Sequence, residues 1–138
     1  FVFACPTTRI ATADARRILP PTLPHAATAR TSGRMLGLLH ALATGDQQAM
    51  TEFTHDEVHV PFRRRMLRGI DAALRGALEA GAATATISGH GPAIVALTTG
   101  DQTVCDQLGA AMRAAFEQAN EEVNILITRS TPRGALSH

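Results

Sequence analysis

The segment Ile87-Ser88-Gly89-His90-Gly91-Pro92-Ala93 sets two glycines around one residue, between two apolar runs. Glycine allows left-handed backbone and close approach to a ligand, and successive peptide N–H groups in such a loop can form a concave anion site. A plain turn joining two strands accounts for the same local pattern. Arg16 and Arg63 stand in polar stretches elsewhere, and a guanidinium fork is the side chain best matched to a planar carboxylate. Taken singly, each also fits a solvated surface residue. His55 and His59 lie four residues apart with Asp56 and Glu57 between them, on one face if a helix persists there. The zinc-protease signature, however, needs glutamate directly after the first histidine; Asp56 occupies that place and no third ligand is evident. Helix-end packing and capping is the reading for this pair, and no metal site is expected. His25 and His40 have no partner readable from sequence.

All 13 basic residues are arginine, and none is lysine. That excludes from this chain a Walker-type phosphate loop and Schiff-base chemistry, both of which need a lysine. Asp and Glu number 12, so the net charge of +1 supplies no field of the kind that draws nucleic acid or an anionic membrane. No apolar run approaches the ~20 residues of a membrane span. The opening Phe1–Cys5 is too short for a signal sequence and has no basic leader. Cys5 and Cys105 sit in distant apolar segments and read as two reduced core thiols. With 138 residues and 45% hydrophobic composition, one domain over residues 1–138 can bury a core. The chain begins inside an apolar run without Met, as expected of the carboxy-terminal part of a longer polypeptide.

Periodicity supplies the elements that must position these residues. Phe1–Cys5 reads as a buried strand closed by Pro6. A short helix follows, capped by Thr8 or Thr12 and stopped by Pro20 and Pro21, which lack the N–H a helix requires. From His25 to Thr44, Ala27, Met35, Leu38, Leu39 and Leu42 recur at helical spacing; Gly45 then caps and Asp46 opens a helix to about His55. Pro61 begins one long helix whose Phe62, Met66, Leu67, Ile70, Leu74, Ala77 and Leu78 form a stripe ending at Gly81. Ala83–Ser88 and Ala93–Thr98 are strands, Asp101 caps a last helix, Val123–Thr128 is the closing strand, and the tail from Ser130 frays. Strand, four helices, two strands, helix and strand predict an α+β fold: a small antiparallel, ferredoxin-like sheet covered on one face by helices. Such sheets carry many unrelated functions.

Three ordered segments resemble the homoserine kinase family of the GHMP kinases. The glycine loop, with Ala77-Leu78-Glu79-Ala80-Gly81-Ala82 before it and Ile94-Val95-Ala96-Leu97 after it, resembles the third conserved GHMP motif in its homoserine kinase version. Ala15-Arg16-Arg17-Ile18-Leu19-Pro20 is similar to the family's Ala-Arg-x-x-Leu-Pro segment. Asp56-Glu57-Val58-His59-Val60-Pro61-Phe62-Arg63 is similar to its Asp-x-x-His-x-Pro-x-Arg stretch. The similarity runs from Phe1 to about Arg129, with His90 standing where the family usually has Ser or Ala, Ala93 where it has Thr, and Glu57 where a basic residue is common.

The resemblance implies a GHMP carboxy-terminal domain in which Arg16 and Arg63 bind the substrate's α-carboxylate. Ser88, Gly89, His90, Gly91 and Pro92 would close the floor of the cleft. It implies a cytoplasmic enzyme of threonine biosynthesis that moves the γ-phosphoryl group of ATP, with Mg2+, to the hydroxyl of L-homoserine. The family's ATP loop belongs to an amino-terminal domain that is absent from this chain. No catalytic residue, bound nucleotide or kinase activity is therefore expected of the chain alone. The implied partners are L-homoserine, the amino-terminal GHMP domain and, through apolar surface left open, a second copy in a homodimer. Two other readings stay open: a GHMP kinase for mevalonate or a sugar, and a non-catalytic amino-acid-binding regulatory module.

Overall fold

Val2 and Ala4 are fully buried while Phe3 and Cys5 are half-buried, the two-residue alternation of a strand with one covered face. In the computed structural model, which describes residues 1–131, that strand is central to the sheet. The chain forms β1 (Val2–Pro6), α1 (Thr12–Arg17), α2 (His25–Thr44), α3 (Gln47–Phe53) and α4 (Val60–Arg63). It continues through α5 (Ile70–Glu79), β2 (Thr84–Ile87), β3 (Ile94–Leu97), α6 (Gln102–Gln118) and β4 (Val123–Ile127). The strands lie in the order β2-β3-β1-β4, antiparallel throughout, which is the expected ferredoxin-like arrangement. The predicted frayed tail falls mostly outside the described residues.

Register sends the apolar side chains inward. Val2 faces Ala96 and Ile127, Ala4 faces Ile94 and Ile125, and Ile87 faces Ile94. Helices α5 and α6 cover that face, contributing Ile70, Ala73 and Ala77 from one and Leu108, Met112 and Phe116 from the other. Each large side chain buried here contributes on the order of 1.5–3 kcal/mol relative to exposure. Helix α6 lies so close to β4 that a Cβ on Gly109 would stand 2.9 Å from Ile125 Cγ2. Cys105 is buried and Cys5 half-buried, and both are free thiols. Among the described residues no helix is long and apolar enough to cross a membrane.

Two expectations need correction. The single long helix from Pro61 to Gly81 is instead two, α4 and α5, separated by residues 64–69. The break is set by packing: Gly69 has φ +84°, and a Cβ there would lie 3.0 Å from Ala119 Cβ and 3.1 Å from Phe116 Cδ1. A continuous right-handed helix cannot pass through that conformation, and a side chain there would press on both neighbours. Neither Thr8 nor Thr12 caps α1; its N-cap is Ala11 without a side-chain bond, and the Thr8 hydroxyl donates to Glu121 Oε2 at 2.6 Å. The apolar spacing along α2 does make a helix, but Met35, Leu36 and Leu39 are each more than half exposed, and only Ala27 and Ala41 are buried.

Candidate functional site

Pairing of Ala4 with Ile94 puts the end of β1 beside the start of β3. The glycine loop that enters β3 and the segment that leaves β1 toward α1 therefore emerge at one end of the sheet. Within the loop, Ser88 N–H donates to Ala93 O at 2.8 Å and Gly91 N–H to Ser88 O at 3.0 Å. The N–H groups of Gly89 and His90 donate to no other described residue. Gly89 and Gly91 have φ of +59° and +82°, the region glycine tolerates best, and a Cβ on Gly89 would meet nothing within 4 Å. The loop apex is thus sterically open, with two adjacent donors uncommitted.

The third segment reaches the same place through Arg63. The Asp56 carboxylate accepts the N–H groups of Val58 at 2.5 Å, His59 at 3.0 Å and Val60 at 3.4 Å, shaping the turn that starts α4. Pro61 occupies the first turn, where its missing N–H costs nothing. From the last position of α4, Arg63 Nη1 donates to Gly89 O at 3.0 Å and Nε to Ala15 O at 3.4 Å. One guanidinium so touches both the glycine loop and α1. A guanidinium has five N–H donors, so three remain for a ligand. Ala15 is fully buried while its neighbour Arg16 is exposed, and the Arg16 side chain forms no hydrogen bond or ion pair among the described residues. The structure thus brings Arg63, Ser88–Pro92 and the helix bearing Arg16 to one end of the sheet. A guanidinium fork beside free peptide donors suits a carboxylate.

His55 and His59 do not share a helix, because α3 ends at Phe53 and His59 is the N-cap of α4. His59 Nδ1 lies 3.4 Å from Asp56 Oδ2, and His55 lines a cleft of about 270 Å³ with Thr51, Thr54, Asp56, Pro61 and Arg64. Among the described residues, no group of three or more His, Cys, Asp or Glu side chains is placed to hold a metal ion.

Sequence reasoning missed one constellation. The Glu57 carboxylate accepts from Arg30 Nε at 2.9 Å and Nη2 at 2.6 Å, and also from Arg34 Nη1. Arg30 and Arg34 are one turn apart on α2, which was the available signal, but nothing in the local pattern links them to a residue 27 and 23 positions on, respectively. Hydrogen bonds from Arg30 and then Arg34 lower the Glu57 pKa from 4.5 to about 2, against a smaller opposing effect of burial. A carboxyl depressed on folding contributes stability that is present above its unfolded pKa and lost as pH falls through its folded one. Acid unfolding followed by urea titration should therefore show stability declining between about pH 4.5 and 2. In Glu57→Gln that part of the decline should be absent; an unchanged slope would show that the clamp adds nothing to folding.

Residues 30–118 match a family model described as GHMP kinases C terminal. The chain belongs to that family. Among curated relatives of this GHMP chain, a homoserine kinase of Thermococcus gammatolerans is 37% identical over 135 residues, 98% of the chain and 44% of the relative. A homoserine kinase of Parasynechococcus marenigrum is 37% identical over 118 residues, 86% of the chain and 37% of the relative. The crystal structure of a homoserine kinase from Cytophaga hutchinsonii superposes with a TM-score of 0.85 at 30% identity, over 91% of this chain and 39% of that one. The GHMP chain thus spans about two fifths of the length of the proteins it matches.

Proposed function

We propose that this chain is the substrate-side, carboxy-terminal domain of a homoserine kinase, holding the amino acid while an amino-terminal domain presents ATP. The observation that carries the reading is the Arg63 guanidinium, which joins the glycine loop to α1 and keeps donors to spare. Similarity to homoserine kinases over nearly the whole chain supports homoserine as the acceptor. In this reading Arg63 and Arg16 take the α-carboxylate, and the open Gly89–His90 edge lets the backbone lie against the bound molecule. Holding the carboxylate fixes where the hydroxyl sits at the other end of a short, flexible substrate, and such positioning is a large part of phosphoryl-transfer catalysis. The described residues offer no lysine and no cluster suited to a metal ion, so nucleotide and Mg2+ are assigned to the amino-terminal domain. The chain alone is then inactive.

Titration calorimetry of L-homoserine into this chain and into the complete enzyme, with and without Mg-ATP, tests the reading. Binding with ADP release in the complete enzyme is the expected result. Binding to the short chain without turnover in either form would instead identify a regulatory amino-acid-binding module.

A further inference from the structure

Helix α4 is a single turn and buries none of its residues. One turn has no cooperative stability of its own, because nucleating a helix costs more than one hydrogen bond returns. The segment carrying Arg63 therefore depends on contacts outside it: Val60 packs against the core and Arg63 itself bonds Gly89 O and Ala15 O, but neither fixes the turn that precedes the helix. Asp56 shapes the preceding turn but belongs to the same segment, so it cannot fix that segment to the rest of the molecule. Glu57 can. Its carboxylate is gripped from α2 by both donors on one edge of the Arg30 guanidinium, at 2.9 and 2.6 Å, and by Arg34. Helix α2 is itself long and held by buried Ala27 and Ala41, the latter packed with Met50 and Ala83. The Glu57 side chain is 23% exposed and that of Arg34 28%, so water competes less for this contact than for an ordinary surface pair. A bidentate arginine contact also restricts direction as well as distance.

We propose that Glu57, clamped by Arg30 and Arg34, is a positioning residue for Arg63 and thereby sets affinity for the carboxylate-bearing substrate. This rests on the homoserine-binding reading above. Glu57 touches no substrate; it fixes the turn over residues 56–59 against α2, and that turn fixes where Arg63 can reach. The effect should consequently appear in amino-acid binding and leave nucleotide binding alone.

The test uses the complete enzyme. Glu57→Ala should raise KM for L-homoserine about tenfold, with KM for ATP unchanged, and should add no further rise once Arg63 is replaced by alanine. Equal rises in both KM values, a silent E57A, or effects of E57A and R63A that simply multiply would each overturn the proposal. If R63A raises the homoserine KM while E57A does not, the binding reading survives and the clamp does not. If R63A itself leaves that KM unchanged, both are overturned. Arg30→Gln and Arg34→Gln each leave one arginine on the carboxylate and should give about a threefold rise; they decide the matter should E57A fail to fold.

Discussion

Replacing Arg63 by alanine in the complete enzyme is expected to lower kcat/KM for L-homoserine by roughly 10²- to 10³-fold, seen in steady-state kinetics at saturating ATP. Removing one partner of a hydrogen-bonded, desolvated charge pair costs ~2–5 kcal/mol, and each 1.4 kcal/mol is tenfold. Arg63→Lys should lose less, about tenfold, since it keeps the charge but not the fork. Part of the alanine effect has a structural source: the same guanidinium bonds Gly89 O and Ala15 O, and each such bond is worth ~1 kcal/mol. Thermal unfolding of the variant separates the two contributions. A drop of a few degrees in Tm with a kinetic loss near 10³-fold locates most of the effect in binding. A kinetic loss no larger than the stability change explains would remove Arg63 from the binding site.

Phe116→Ala is expected to have the largest effect on folding, a loss of about 3–5 kcal/mol by urea denaturation. Phe116 is the largest fully buried side chain and belongs to the same buried cluster as Leu108 and Met112 of its own helix and Ile70 of α5. It also lies under the Gly69 turn, so the cavity would undermine the junction that ends the α4 region. At this chain length, a loss of that size corresponds to a fall in Tm on the order of 10–15 °C. Leu39→Ala provides the contrast. Leu39 belongs to an equally regular apolar spacing but is 58% exposed, and its replacement should change stability by less than about 0.5 kcal/mol in the isolated chain. Equal losses from the two substitutions would mean that α2 is covered in solution.

The difference between these two residues shows how far the sequence could be read. Apolar spacing located α2 and α6 alike, because a helix of either environment needs the same 3.6-residue period. It could not say that α6 turns its stripe to the sheet while α2 turns Met35, Leu36 and Leu39 to solvent, since burial is set by neighbours distant in sequence. The strands were legible from β-branched runs and the turns between them, and their order follows from a split βαβ arrangement. The helix expected from Pro61 to Gly81 was lost to a packing contact, the approach of residue 69 to Ala119 and Phe116, which no local window contains.

Residue types determined a good deal by themselves. Thirteen arginines and no lysine excluded lysine-dependent chemistry and supplied forks suited to anions. Three ordered motifs pointed to a GHMP kinase carboxy-terminal domain, and glycines at 89 and 91 marked either a plain turn or a loop open to a ligand. Only the tertiary structure decided that Arg63 bridges Gly89 and Ala15, and that Glu57 is shared by Arg30 and Arg34. Those contacts join residues 23 to 48 positions apart. A hydrogen bond depends on tenths of an ångström and on direction, and such precision exists only after the sheet and its helices have packed.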